Sequence, residues 1–176
     1  MNKNIRKIAI TGPESTGKST LAAALAAHYN TAWVPEFART YLETLSRPYA
    51  QQDVESIARG QLESYQQVLA GAKNVLFADT DLLVIKIWML NAYGNCPDWI
   101  LEALLKQDFD LYLLPDIDLP WEEDPQREHP HLRQYFYDWY KRELKQYGFN
   151  FVEISGTKEV RFQNALNHVN ALLQNR

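Results

Sequence analysis

Residues 12 to 19 read Gly-Pro-Glu-Ser-Thr-Gly-Lys-Ser, which fits G-x-x-x-x-G-K-[ST]. The apolar run Ile8-Ala9-Ile10 stands ahead of it and Thr20-Leu21-Ala22-Ala23-Ala24-Leu25 behind it, so the loop falls between an expected strand and an expected helix. No other stretch constrains the fold as tightly. A glycine-hinged loop turns successive N–H groups inward as an anion nest, and the following helix aims its positive dipole end at the same point. That geometry suits the phosphates of a nucleoside triphosphate. Lys18 would reach the β- and γ-phosphates, and the Ser19 hydroxyl is offered to Mg²⁺. A turn that merely caps a helix explains the two glycines but not the Lys-Ser pair.

Further apolar, β-rich runs follow at 32–35, 74–78, 110–114 and 149–154, with the first at 7–11. Helical spacing fills most of the intervals, over 51–72, 82–93, 131–147 and 157–173, with Gly94 and Gly148 as expected stops. This alternation means α/β. Because the strand runs are apolar almost throughout, they predict a five-stranded, mostly parallel sheet covered by helices on both faces, with ligands at the strands' C-terminal ends. At 176 residues and 46% hydrophobic, the chain is expected to form one domain over 1–176.

Composition removes other classes. No apolar stretch reaches membrane-spanning length and no signal-peptide pattern opens the chain, so a cytoplasmic protein without a membrane partner is expected. Eighteen basic against twenty-two acidic residues leave no global positive field for a nucleic acid. The single cysteine, Cys96, excludes an internal disulfide. His129-Pro130-His131 is a poor metal-ligand set, lacking nearby Cys.

Asp79 ends the third strand run, where an acid can orient Mg²⁺ or its water shell, and Asp81 follows two residues later. The competing use of either is to cap the next helix. Glu36 ends the second run and is the best candidate base: an ionised carboxylate there could accept a hydrogen bond from the acceptor's hydroxyl and align its oxygen with the γ-phosphorus. Arg39, three residues on, could pair with Glu36 or a neighbouring acid. Prolines at 115, 120, 125 and 130 mark one long loop, read as a lid over about 119–133 that carries Arg127 and Arg133. Closing it would exclude water, the competing acceptor. Gly156-Thr157 could pass beneath an adenine ring or simply start a helix.

Taken together, GPESTGKST, VPEFAR (34–39), FADTDLLVIKIW (77–88) with the following NAYG, LLPDIDLPWEEDPQREHP (113–130) and ISGT (154–157) with Arg161 resemble the ribosylnicotinamide kinase domain of the bacterial NadR proteins. The resemblance covers nearly the whole chain and implies a P-loop kinase fold. It implies transfer of phosphate from ATP, with Mg²⁺, to the 5′-hydroxyl of nicotinamide riboside, a step of NAD salvage. It assigns residues 12–20 (Gly12, Glu14, Ser15, Thr16, Gly17, Lys18, Ser19 and Thr20 among them) to phosphate binding. Glu36 and Asp79 or Asp81 become the catalytic and ribose-contacting acids, and Arg127 belongs to the lid. One departure stands out: Asp124 precedes Pro125-Gln126, where the family often has glycine after the lid aspartate.

That substrate carries a cationic pyridinium ring, which an electron-rich aromatic face attracts; Trp88, Tyr93 and Trp121 are the candidates, core packing being their alternative role. NadR proteins often join this kinase to an adenylyltransferase and sometimes to a DNA-binding segment; with too few residues ahead of the first strand for either module, neither extra activity is expected here. An alternative is a kinase of a deoxynucleoside or nucleoside monophosphate. A monophosphate acceptor would need further cations, which Arg39 and Arg47 could supply. A nucleotide-dependent switch is disfavoured by the lack of an Asn-Lys-x-Asp guanine-reading motif.

Overall fold

Five strands pair side by side in the computed structural model, which describes residues 5–174. They are β1 (Arg6–Ile10), β2 (Trp33–Val34), β3 (Val75–Asp79), β4 (Leu111–Pro115) and β5 (Phe151–Ile154). All pairings are parallel and the order is β2-β3-β1-β4-β5. The helices are α1 (Lys18–His28), α2 (Phe37–Glu43), α3 (Gln51–Gly71), α4 (Leu82–Tyr93), α5 (Asp98–Lys106), α6 (Arg133–Gln146) and α7 (Lys158–Gln174). A single 3₁₀ turn, Pro130–Leu132, precedes α6.

Side chains alternate across a strand, and here both faces are apolar, which is why the sequence shows runs rather than alternation. Ile8 and Ile10 of β1 point to one face, where they meet Leu21 and Leu25 of α1 and Ala165 and Val169 of α7. Ala9 points to the other, packed with α3 to α6 through Ile57, Leu83, Ile100 and Leu144. Ile8 and Ile10 are fully buried, each contributing on the order of 1.5–3 kcal/mol relative to exposure.

Strand order positions the site. β1 lies between β3 and β4, so chain segments leaving the tops of these strands diverge and open a crevice at the switch point. β1 feeds the P-loop into that crevice. Register sets Ile10 beside Asp79 and Val34 beside Ala78, which brings the exits of β1, β3 and β2 together.

Several boundaries differ from expectation for identifiable reasons. β2 stops at Val34 because Pro35 has no N–H to continue the ladder. The helix expected from 131 begins at Arg133, after the Pro-led 3₁₀ turn. Helices α2 and α5 were not marked in the sequence; α5 nevertheless carries a readable stripe, Trp99, Ile100, Ala103 and Leu104, all packed into or against the core. Among the described residues no helix is long and apolar enough to cross a membrane.

Candidate active site

Left-handed backbone shapes the loop after β1. Gly12 has φ 136° and Gly17 φ 75°, and a Cβ on Gly12 would come 3.0 Å from Leu114 Cδ1. Ser15, at φ 57°, shares the left-handed region. Thr16 Oγ1 and Lys18 Nζ each donate to the Pro13 carbonyl at 2.9 Å, which braces the loop from inside. Gly17, the N-cap of α1, brings no side chain to the first turn and no acid follows it, so the helix's positive end is left for an external anion. Residues 12–20 all line a cleft of about 1900 Å³, above the roughly 300–1,000 Å³ of a single small-molecule site. The cleft has room for more than one small molecule.

Asp79, at the tip of β3, is 1% exposed, and neither carboxylate oxygen completes a hydrogen bond with the protein. Burial pushes its pKa up to about 6; Glu36 adds repulsion, while the Lys18 ammonium and the nearby Ser19 hydroxyl pull it down. Thr80 next to it holds φ 77°, a strained conformation for a β-branched residue, with its N–H bound to the Ile10 carbonyl at 3.0 Å. A buried carboxylate that completes no hydrogen bond and stands near the Ser19 hydroxyl and the Lys18 ammonium fits one side of a Mg²⁺ ion. Such an ion takes one or two carboxylates and fills its remaining positions with phosphate and water. No group of three or more His, Cys, Asp or Glu that could hold a metal by itself occurs among the described residues.

Asp81 turns out otherwise than a ribose contact. Its carboxylate accepts from the Thr11 hydroxyl at 2.7 Å and the Leu83 N–H at 3.1 Å, capping α4, and it does not line the cleft. Burial, its largest influence, pushes it to about 6 as well.

Glu36 lines the cleft from the N-cap position of α2. A residue the sequence reading missed holds it there: buried Gln61 of α3 accepts the Phe37 N–H at 2.8 Å and turns its amide toward the carbonyls of Pro35, Asp79 and Thr80, each at 3.4 Å. The tips of β2 and β3 are thereby tied to one side chain. Beneath it Gly60 lets α2 approach, since a Cβ there would lie 2.2 Å from the Phe37 ring.

The loop between β4 and α6 is docked on the P-loop. Glu14 accepts the N–H groups of Glu128 and His129 at 3.1 and 3.3 Å, and Ser15 Oγ accepts from Glu122 N–H at 2.9 Å and Arg127 Nη1 at 3.4 Å. Arg127 also holds the Glu122 carbonyl at 2.6 Å, while Arg133 donates to the carbonyls of Leu119 and Ser15 at 2.8 and 3.0 Å. The side chains of Glu14 and Ser15 thus serve the lid. Asp124-Pro125-Gln126-Arg127 forms a turn closed by Arg127 N–H on the Asp124 carbonyl at 3.0 Å, with the Gln126 N–H on the Asp124 carboxylate at 2.9 Å. Proline suits the second position of such a turn, so glycine is not required there.

Arg39, which could have paired with Glu36, instead crosses to the lid and meets Asp124 at 2.6 Å. Buried Arg161 of α7 donates to the carbonyls of Gly156 (2.7 Å), Asp116 (3.0 Å) and Thr16 and to the Asp118 carboxylate. Thr157 lines the cleft; Gly156 does not, its φ of 94° serving the turn into α7.

Of the three candidate aromatics, Trp88 alone lines the cleft. Its indole donates to the Tyr49 hydroxyl at 3.1 Å with the rings edge to face, and Tyr49 donates to Glu128 at 3.0 Å. Burial is the main cause that pushes the Tyr49 phenol up to about 12. Tyr93 packs against the core at the end of α4, and the indole N–H of Trp121 is buried without a protein partner. Tyr49 carried no sequence signal, lying in an irregular stretch between α2 and α3.

Residues 7–161 match a family model described as an AAA domain. The trifunctional NAD biosynthesis/regulator protein NadR of Escherichia coli K12 is 30% identical over 126 residues, which span 68% of this chain and 30% of that protein. A crystal structure of a NadR protein in complex with NR superposes with a TM-score of 0.83 at 19% identity, covering 98% of this chain and 52% of that one. Thymidylate kinase from Ehrlichia chaffeensis superposes at 0.62 with 14% identity, over 95% of this chain and 98% of the other. The chain therefore spans about a third to a half of the NadR proteins it matches.

Proposed function

The chain belongs to the AAA_28 family of AAA domains and has the P-loop kinase fold, and on that footing we propose that it transfers the γ-phosphoryl group of ATP to the 5′-hydroxyl of nicotinamide riboside. The products are nicotinamide mononucleotide and ADP. One observation carries the reading: Glu36 and Asp79, from the tips of adjacent strands, share a cleft with Lys18, and Trp88 lines the same space.

In this reading the Glu36 carboxylate accepts a hydrogen bond from the 5′-hydroxyl and points its oxygen at the γ-phosphorus. As the new P–O bond forms, the bond to the departing ADP oxygen breaks and the hydroxyl proton passes to Glu36 late. Positioning and electrostatics supply most of the acceleration. Lys18 exchanges its Pro13 carbonyl for phosphate oxygens, and Arg127, already against Ser15, stands where charge builds on the transferred group. Ser19 and Asp79 would hold Mg²⁺, whose chemistry is to offset phosphate charge. The docked lid keeps water from the phosphoryl group. Trp88 and Tyr49 offer π faces to the pyridinium, with Glu128 as a nearby counter-charge.

A coupled assay for ADP with nicotinamide riboside, thymidine and nucleoside monophosphates as acceptors tests this. The expected result is the highest kcat/KM for nicotinamide riboside. Turnover confined to a monophosphate would overturn the reading, and hydrolysis of ATP unchanged by any acceptor would return the chain to the class of nucleotide switches.

A further inference from the structure

Two guanidinium groups line the acceptor side of the cleft, and each already has a carboxylate. Arg39, one turn beyond Glu36, reaches from α2 to the lid and pairs with Asp124 at 2.6 Å. Arg47, in the stretch before α3, forks onto Asp53 with Nη1 at 2.7 Å and Nη2 at 3.0 Å. Asp53 is fixed in turn by the Ala50 N–H at 2.7 Å and the Tyr41 hydroxyl at 3.1 Å. Arg47 and the Ala50 N–H hold Asp53 far below the usual carboxylate range, and Arg39 holds Asp124 down to about 2, so both acids stay charged near neutrality. At the phosphate end Lys18 is engaged with Pro13, Arg127 and Arg133 with Ser15, and Arg161 with Thr16, and Lys158 lines the cleft beside Thr157, away from Arg39 and Arg47 in the sequence.

Binding a phosphate monoester takes uncommitted donors in a fork, which these two residues would otherwise offer. Glu36, Glu43, Asp124 and Glu128 line this side of the cleft with Arg39 and Arg47, and Asp53 stands behind Arg47, which makes five carboxylates to two guanidiniums. A dianionic phosphate entering there meets net negative charge, whereas a cationic base meets attraction.

We propose that Asp53 and Asp124 determine acceptor specificity: by occupying Arg47 and Arg39 they exclude phosphorylated acceptors, admit an uncharged or cationic nucleoside, and disfavour retention of its monophosphate product. Because Asp124 belongs to the lid, the exclusion is complete only when the lid is docked. The inference deepens the kinase reading and rests on its placing of the acceptor.

The test is calorimetric binding in the presence of AMP-PNP, with two probe pairs, nicotinamide riboside against nicotinamide mononucleotide and thymidine against thymidine monophosphate. Wild type, Asp124→Asn, Asp53→Asn and the double variant are compared. The nucleoside should bind more tightly than its monophosphate in the wild type. Each substitution should move the ratio of the two affinities about tenfold toward the monophosphate, through one freed guanidinium. An unchanged ratio in variants with wild-type circular dichroism, or an equal loss for both members of a pair, assigns these acids a purely structural role and overturns the proposal. So does a wild type that prefers the monophosphate, or that binds neither pair. Should Asp53→Asn, at the start of α3, fail to fold, Asp124→Asn in the lid carries the test alone. Failure of the nicotinamide riboside reading looks different: no turnover of that compound while the thymidine pair still shifts its ratio.

Discussion

At the proposed phosphate end of the cleft one continuous stretch, residues 12–20, lines the space, whereas the proposed acceptor end is put together from Glu36, Arg39, Tyr49, Gln61, Trp88 and a lid, from separate parts of the chain. The first is shaped by glycines in left-handed conformations and by contacts within a few residues, and is fastened from outside at two backbone carbonyls by Arg133 and Arg161. The second depends on side chains bonded across long sequence separations. A backbone site changes little when neighbouring side chains are exchanged, and a side-chain site can be retuned one residue at a time. This division fits the chemistry: every nucleoside triphosphate has the same phosphates, while acceptors differ.

The contrast can be broken at its strongest point by Lys18→Ala, which removes the charge while Thr16 keeps its own bond to the Pro13 carbonyl. We expect kcat/KM to fall by about 10³ in the coupled assay; a loss below tenfold would mean that backbone donors alone stabilise the transferring group. Glu36→Gln probes the opposite end. It should lower kcat by about 10² while AMP-PNP affinity, read by calorimetry, stays within about twofold of the wild type; undiminished turnover would remove Glu36 as the aligning base.

Titration sharpens the comparison where the two ends meet. The Asp79 pKa is raised from 3.8 to about 6, so between those values the folded chain holds a proton that the unfolded chain releases. Stability should therefore rise as pH falls from 6 toward 4, by at most about 1.4 kcal/mol per unit for such a group, with Asp81 shifting the same way. Activity should move oppositely: kcat/KM falls by about tenfold per unit below pH 6, because the protonated acid no longer serves the cation. A thermal melt and a rate profile over the same pH range check the two signs together. The smallest effect is expected from Gly60→Ala. Displacing the Phe37 ring should cost about 1–3 kcal/mol of stability and lower kcat a few-fold through Glu36, with AMP-PNP affinity unchanged, as denaturant melts and calorimetry would show.

The same division decides what could be read from the sequence. The α/β class, the parallel sheet and the P-loop were legible because each is written locally, in apolar runs and in one eight-residue motif. The position of Asp79 at a strand tip facing the cleft was legible because it follows a recognisable strand, yet Asp81 was legible only as either a ligand or a cap, and its bond to Thr11 seventy residues away decided for the cap. Gln61 and Tyr49 were silent: nothing about a glutamine on a helix announces that two strand tips converge on it. Pro125 pointed the other way, toward a misfit in the lid, until the turn that accommodates it was in view.

Arg161 has a consequence for biosynthesis. During synthesis the loop after β1 is made well before the guanidinium that clasps the Thr16 carbonyl and the segment after β4, which lies 145 positions further along the chain. A nascent chain therefore fastens that loop only after the segment that forms α7 has been made.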